Sequence, residues 1–155
     1  MKKTGFFFLL SVFLLNSCSR IDLFDKVVFL PKQEWTLANR PEIIFDIKDT
    51  AASYKVYFLI RHTDAYRYNN IWIKLYSKLP GEKSERSDRY EIPLATDSRW
   101  LGTGMDDIYD HRVLLYRNPV KFFKPGRYTL RLEQDMRVDP LDNVLNVGIR
   151  IEKQR

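Results

Sequence analysis

The stretch SYKVYFLIRH, residues 53–62, shows the pattern that decides the fold. Along it, two sets of side chains alternate, one apolar and one more polar. Tyr54, Val56, Phe58 and Ile60 form the apolar set, and Lys55, Tyr57, Leu59 and Arg61 form the other. Because successive side chains of a β-strand point to opposite faces of the sheet, this period of two predicts a strand with one buried face.

The same alternation recurs in four other segments, which predict four more strands. They are PEIIFDIKD at 41–49, NIWIKLYSKL at 70–79, RYTLRLEQ at 127–134 and VLNVGIRIEK at 144–153. Further strand candidates are 26–30, 89–94 and 112–116, whereas 105–110 fits a helical turn. Seven to nine short strands separated by Asn, Gly and Pro turns predict an all-β fold. We expect an antiparallel, jelly-roll-like β-sandwich, forming a single domain over residues 26–155.

The N-terminal segment has the features of an export signal. Two lysines precede an uncharged apolar run, GFFFLLSVFLL at 5–15. A basic start followed by an apolar run of about 7–15 residues is typical of secretory signals, and roughly 20 residues would be needed to span a membrane. The run ends in Leu15-Asn16-Ser17-Cys18, which resembles the bacterial lipobox. That resemblance implies cleavage before Cys18 and acylation of its thiol.

We therefore expect a lipoprotein signal peptide at 1–17 and a lipidated tether at 18–25. A plain signal peptide with an incidental cysteine, or a membrane helix, are the alternatives. Cys18 is the single cysteine in the chain, so no internal disulfide is expected in the folded part. Removing 17 of the 155 residues leaves 138, enough for one buried core.

The charge pattern argues against a nucleic-acid partner. The net charge is +6, and it falls to +4 when the two lysines of the signal peptide are removed. Acidic residues are interspersed throughout, and there is no run of five or more basic residues.

No segment has a recognisable catalytic spacing. The acidic stretch GMDDIYDH at 104–111 lacks the spacing of a calcium loop and fits a solvated turn better than a metal site. Three aspartates at 135, 139 and 142 leave glycoside hydrolysis as an alternative. His62 and His111 are far apart in sequence and form neither a zinc motif nor a catalytic triad. We expect no enzymatic activity, no metal site and no cofactor.

The stretch RHTDAYRYNNIWI at 61–73 combines aromatic rings with hydrogen-bonding groups. Tyr66, Tyr68, Asn70 and Trp72 are candidates for an aromatic interaction surface. Tyr, Trp and Arg side chains are enriched at binding hot spots, so this surface suits a glycan or a protein partner. The alternative is that the rings pack inside the sandwich.

Five stretches carry a resemblance to a known family. They are FDIKDT at 45–50, RHTDAYRYNNIWI at 61–73, YEIPLATDSRWLGTGMDDIYDH at 90–111, FKPGRYTLRLEQDMR at 123–137 and LDNVLNVGIRIEK at 141–153. Together they resemble the gliding-motility lipoprotein GldH family. The residues that match the family's recurrent motifs are Trp100, Gly102, Gly104, Tyr128, Gln134, Met136 and Arg137.

Structural roles can be assigned to these motif residues as expectations. We expect positive-φ turns at Gly102 and Gly104 and a core anchor at Trp100. Gln134, Met136 and Arg137 are expected either to mark a partner-binding loop or to finish a strand. In the first case Gln134 and Arg137 join Tyr66, Tyr68, Asn70 and Trp72 as candidates for the interaction surface.

The resemblance implies a location and a process rather than a reaction. It implies a lipid-anchored outer-membrane protein linked to the gliding motility and type IX secretion apparatus, and we expect its body to face the periplasm. The expected function is that of a non-enzymatic accessory or scaffold component that binds other envelope proteins. A carbohydrate-binding β-sandwich lipoprotein of the cell envelope, with a glycan as its partner, is the alternative.

Overall fold

The structure, a computed structural model, describes residues 23–154. Over this range the chain forms eleven β-strands and a short 3₁₀ turn at Pro31–Gln33. The strands are β1 (Leu23–Phe29), β2 (Glu34–Trp35), β3 (Glu42–Ile47), β4 (Tyr54–Thr63), β5 (Asn70–Lys78), β6 (Arg86–Pro93), β7 (Thr103–Met105), β8 (Ile108–Leu114), β9 (Gly126–Gln134), β10 (Leu141–Asp142) and β11 (Val144–Lys153). The predicted signal peptide and the lipid attachment at Cys18 lie outside the described residues.

The strands form two main antiparallel sheets and a short ribbon. The first sheet has the order β1-β11-β4-β8-β7, the second β3-β9-β5-β6, and the ribbon pairs β10 with β2. Without the short strands β2, β7 and β10, eight strands remain. If these eight are renumbered 1 to 8 in chain order, the first sheet has the order 1-8-3-6 and the second the order 2-7-4-5. This is the strand order of a jelly roll, in which the chain passes repeatedly between two sheets. The prediction of an all-β, antiparallel, jelly-roll-like sandwich is confirmed.

The alternation in the sequence sets the inner and outer faces of the sheets as predicted. In β5, the side chains of Ile71, Ile73 and Leu75 are at most 1% exposed, whereas the intervening Trp72 and Lys74 are half-buried on the outer face. Inward side chains from both sheets join one hydrophobic core. Each Å² of apolar surface removed from water contributes roughly 25 cal/mol to stability, so this core is the main stabilising element.

β11 departs from the predicted alternation at one point. Its register against β4 shifts between Val144 and Asn146, which marks a β-bulge. A bulge inserts one extra residue into a strand, so the alternation of inward and outward side chains is shifted by one residue on passing the bulge. As a result Val144 is fully buried, and Leu145, which the alternation Leu145, Val147, Ile149 and Ile151 predicts on the inner face, is only half-buried.

One predicted boundary and one predicted secondary-structure element differ from the structure. β1 begins at Leu23, which pairs with Glu152 of β11, so the last three residues of the predicted tether belong to the sandwich. The helical turn expected at 105–110 is wrong. These residues instead form part of the β7–β8 hairpin, because Met105 pairs with Ile108 across a tight turn at Asp106, whose φ is 55°.

The sandwich has two ends, which we name after the limits of β1. At the Leu23 end, loops 48–53, 79–85 and 115–125 connect the long strands. At the Phe29 end lie segments 30–41, 64–69, 94–102, 106–107 and 135–143. Because neighbouring long strands run in opposite directions, the connections between consecutive long strands alternate between the two ends. Segments 94–102 and 106–107 both belong to the connection from β6 to β8.

Candidate functional site

The six residues predicted to form an interaction surface all lie at the Phe29 end of the second sheet. Tyr66 and Tyr68 lie in the loop before β5, Asn70 and Trp72 lie at the start of β5, Gln134 ends β9, and Arg137 follows it. β5 and β9 are paired, with Ile73 opposite Gln134. This pairing brings together two segments that are distant in sequence.

Four of the six residues line one surface depression of about 410 Å³, which we call the Trp72 cleft. They are Tyr68, Asn70, Trp72 and Arg137, and the lining is completed by Arg89, Asp135, Met136 and Val138. Sequence reasoning did not assign Arg89 or Asp135 to this surface. They reach it from β6 and from the loop after β9, so only strand pairing brings them next to Trp72.

Tyr66 and Gln134 are buried, so their prediction as surface residues is wrong. Tyr66 is 4% exposed, and its hydroxyl donates a hydrogen bond to the carbonyl of Asn70 at 3.0 Å. Burial raises the pKa of the Tyr66 phenol above its usual value. The ring of Tyr66 meets that of Tyr68 edge-on at 5.7 Å, so Tyr66 supports the cleft from below.

Gln134 instead fixes the loop that carries Met136 and Arg137. Its side-chain amide donates to the carbonyl of Val138 at 3.0 Å and accepts from the amide of Met136 at 2.8 Å. The sulfur of Met136 in turn accepts a hydrogen bond from the amide of Trp72 at 3.2 Å. Both alternatives left open by the sequence therefore apply: Gln134 finishes a strand, and Met136 and Arg137 lie in a loop beside the cleft.

The indole of Trp72 is covered by a guanidinium group. The Arg89 guanidinium lies 3.9 Å from the ring centroid, within the range of a cation–π contact. Asp135 accepts from Arg89 at 2.5 Å and pairs with Lys74 at 2.8 Å. The hydrogen bond from Lys74 and, to a lesser degree, that from Arg89 hold the pKa of Asp135 below its usual value. Trp72 is therefore part of a charged network and not an uncovered aromatic platform.

Asn70 extends this network to the edge strand. Its side-chain amide donates to the carboxylate of Glu91 on β6 at 2.7 Å. On the other side of β5, buried Glu133 pairs with Arg40 at 2.7 Å. The outer face of the second sheet thus presents ordered ion pairs around the Trp72 ring, a chemistry suited to a polar partner.

A second cluster lies next to this site and was not predicted. His62 and His111 are 0% and 5% exposed, and their Nε2 atoms are 2.9 Å apart. β4 and β8 are neighbours in the first sheet, which brings the two rings together. His62 continues the apolar alternation of β4, and this was the one sequence signal for its burial. No pattern in the sequence indicated the pairing.

The hydrogen bonds determine which nitrogens carry protons. Nδ1 of His62 lies 2.7 Å from the carbonyl of Thr63, so this nitrogen must donate. In a neutral ring Nε2 of His62 then accepts, and Nε2 of His111 donates to it. Burial lowers the pKa of both imidazoles, and burial together with the neighbouring His62 lowers that of His111 to about 4. At neutral pH the pair is therefore uncharged.

The motif residues Trp100 and Gly102 lie against this histidine pair, and Gly104 lies against Tyr109, whose ring stacks on His62. Trp100 packs on His62 with ring centroids 4.4 Å apart and contacts the core as expected, although it is only half-buried. The expected positive φ angles at Gly102 and Gly104 are wrong, since only Gly81 and Gly126 among the described glycines adopt them. The glycines are required instead by close approach, because a Cβ at Gly102 would lie 2.8 Å from the ring of His111.

Tyr128, the remaining motif residue, lies at the opposite end of the core. It is 4% exposed, and its hydroxyl donates to the carbonyl of Lys124 at 2.8 Å. This bond holds the end of loop 115–125 against the sandwich.

Within 23–154, no group of three or more His, Cys, Asp and Glu side chains is placed to hold a metal ion. The histidine pair is enclosed by aromatic rings, with Tyr66, Trp100 and Tyr109 around His62. In the same range, no helix is long and apolar enough to cross a membrane.

Comparison with known proteins gives a consistent result. Residues 22–151 match the family model described as GldH lipoprotein. The chain is also similar to a protein of Christiangramia forsetii named gliding motility lipoprotein GldH homolog. The two are 29% identical over 156 residues, which cover 96% of this chain and 94% of the relative.

Proposed function

The chain belongs to the GldH lipoprotein family, and on that premise we propose that it is a non-enzymatic accessory component of the gliding motility and type IX secretion apparatus. In this proposal the protein is held on the outer membrane by lipid on Cys18, with its body in the periplasm. The family match and the name of the relative support a lipoprotein of gliding motility. The lipobox at residues 15–18 supports the site of lipid attachment.

The proposed anchor constrains how far the body can be from the membrane. β1 begins at Leu23, five residues after Cys18. An extended chain spans at most about 3.3–3.6 Å per residue, so the tether reaches roughly 17 Å. Two or three acyl chains give durable membrane attachment, whereas one gives marginal binding. The sandwich therefore remains within a short distance of the lipid surface.

The observation that carries the accessory role is the Trp72 cleft. It brings Tyr68, Trp72 and Arg137 together, and Tyr, Trp and Arg are the side chains most enriched at protein interfaces. The loop bearing Arg137 is fixed by the Gln134 amide, so little conformational freedom is lost when a partner binds. We propose that another envelope protein of the apparatus binds at this cleft.

Photo-crosslinking in intact membranes tests this proposal. A photoreactive residue replaces Arg137, which is exposed beside the cleft, and the matched control replaces Arg117, which is exposed at the Leu23 end. We expect specific adducts with envelope proteins of the apparatus from position 137 and not from 117. Recovery of the chain alone from both positions would contradict the accessory role.

Glycan binding is the second candidate function, and the aromatic and amide lining of the cleft favours it. A sugar that stacks on the face of Trp72 covered by Arg89 must first displace that guanidinium, which argues for a polar or acidic glycan. A glycan array with the wild type and a Tyr68→Ala variant provides the test. Binding that is lost in the variant would support this function, and no binding to any envelope polysaccharide would reject it.

A further inference from the structure

Loop 115–125 has an unusual composition. It joins β8 to β9 at the Leu23 end and contains Arg117, Lys121 and Lys124 without any acidic residue. Arg127 follows at the start of β9. The second half of the loop contains the sequence KFFK at 121–124, in which two adjacent phenylalanines are flanked by lysines.

The two phenylalanines have opposite environments. The ring of Phe122 packs edge-on against Tyr128 at 4.9 Å and Tyr54 at 5.3 Å. The side chain of Phe123 is 83% exposed, more than any other large apolar side chain among the described residues. The fold therefore uses Phe122 to hold the loop and leaves Phe123 in solvent.

The exposure of Phe123 is built into an ordered loop. Tyr54 and Val120 exchange two backbone hydrogen bonds of 2.8 Å, which fix the middle of the loop. The hydroxyl of Tyr128 bonds to the carbonyl of Lys124 at 2.8 Å, which fixes its end. The phenyl ring lies in the segment between these two attachments, and 83% of the Phe123 side chain is exposed.

The two ends of the sandwich carry formal charges of opposite sign. The Leu23 end, comprising loops 48–53, 79–85 and 115–125, contains five basic and three acidic residues, a formal charge of +2. The five segments of the Phe29 end contain five basic and eight acidic residues, a formal charge of −3. An anionic surface would therefore attract the Leu23 end and repel the other.

The length of chain outside the structure indicates what lies at this end. Leu23 begins β1 at the same end as loop 115–125, and the tether from Cys18 reaches only roughly 17 Å. This step rests on the lipid anchor of the proposed function. A bilayer that holds acyl chains at Cys18 lies next to the Leu23 end.

We propose that loop 115–125 is a second membrane contact, which sets the orientation of the sandwich on the bilayer. Phe123 inserts at the boundary between headgroups and acyl chains, and Arg117, Lys121 and Lys124 lie over anionic headgroups. Aromatic residues flanked by basic ones suit this interface, because their apolar part enters the lipid while the charges remain in water. Lys124 pairs with Glu82 at 3.2 Å, but its side chain is 54% exposed and accessible to lipid.

A single fluorescent label tests this contact. Acylation occupies the thiol of Cys18, so a Phe123→Cys variant of the lipidated chain has one free thiol for the environment-sensitive dye NBD. The control is Met105→Cys, since Met105 is 78% exposed at the Phe29 end. In vesicles of phosphatidylcholine and phosphatidylglycerol, we expect the label at 123 to emit at shorter wavelength and to resist an aqueous quencher. The label at 105 should do neither.

A second experiment separates the loop's contribution from that of the dye. The label is attached to an Asn118→Cys variant, since Asn118 is exposed in the same loop. One labelled protein retains Phe123, and the other also carries Phe123→Ser. We expect the protection from quencher at 118 to fall in the serine variant. It should fall also in a Lys121→Gln/Lys124→Gln variant that retains Phe123.

Each outcome distinguishes the loop contact from the anchor. If the lipidated chain shows equal quenching at 123 and 105, the loop contact is overturned and the anchor stands. If mass spectrometry finds no lipid on Cys18, the anchor itself is refuted. A spectral shift at 123 that occurs in native envelopes but not in protein-free vesicles would mean that a protein covers the loop, which also overturns the proposal.

Discussion

The two ends of the sandwich are formed by the same strands but present different chemistry. The Leu23 end has a basic loop with a single prominent ring, Phe123. The Phe29 end is acidic and carries the Trp72 cleft, the covered histidine pair, and exposed Phe29 and Met105. The comparison shows that the strands provide a common frame, while the connections at each end decide what that end can contact.

The largest expected effect separates the two phenylalanines of the basic loop. Phe122→Ala should lower the free energy of unfolding by about 3 kcal/mol, because it removes a ring packed against three core aromatics. Phe123→Ala is the matched control and should change stability by less than about 0.5 kcal/mol. Urea denaturation of both variants measures the difference, and equal losses would show that Phe123 is structural.

The next effect belongs to the Phe29 end and depends on pH. The unfolded histidines titrate near their usual pKa of about 6.5, whereas that of folded His111 is about 4. Below about pH 6.5 the unfolded chain binds protons that the buried pair does not, so stability should decrease as pH falls towards 4. We expect a loss of about 2–3 kcal/mol from His111 between these limits.

A His111→Gln variant isolates this contribution, since glutamine can still donate a hydrogen bond to His62. Other carboxylates titrate equally in both proteins, so the wild type should lose more stability on acidification than the variant does. Denaturant titrations at neutral and acidic pH provide the measurement. Parallel losses in the two proteins would show that the pair does not control acid stability.

A smaller effect tests how tightly the motif glycines cover the histidine pair. Gly102→Ala would place a Cβ 2.5 Å from the carbonyl of Asp110 and should cost about 1–2 kcal/mol. We expect a cost at the lower end of the usual range for overpacking, because Gly102 directly precedes β7, a short edge strand that can shift. Thr103→Ala, at the exposed start of β7 next to Gly102, is the control. Thermal unfolding of the two variants would contradict the prediction if both melted alike.

The smallest effect concerns the guanidinium over Trp72. Arg89→Ala should cost only about 0.5 kcal/mol, because the Arg89 side chain is 54% exposed and such pairs contribute little. The same substitution should, however, uncover the Trp72 indole. Acrylamide should then quench its fluorescence more strongly than in an Arg86→Ala control on the same strand. If quenching is unchanged, the stacking does not shield Trp72 in solution.

The parts of the site that were predictable lie close together in the chain. Tyr68, Asn70 and Trp72 could be grouped because they follow one another along a loop and the start of a strand. Family resemblance singled out Gln134 and Arg137 but did not show what either residue does. Only the hydrogen bonds of the Gln134 amide show that Gln134 is buried and supports the loop, whereas Arg137 lies on the surface. Arg89 and Asp135 could not be predicted, because their position beside Trp72 depends on the registers of β6 and β9 against β5.

The sequence by itself determined which side chains of β4, β5 and β9 face inwards, because a period of two is a local property that every strand carries. It also indicated the export signal at the N-terminus. Only the tertiary structure decided which strands are neighbours, and hence that His62 meets His111, that Arg89 covers Trp72, and that loop 115–125 shares an end with the start of β1. These contacts join residues far apart in the chain, and local alternation contains no information about which distant strand will pair with a given edge.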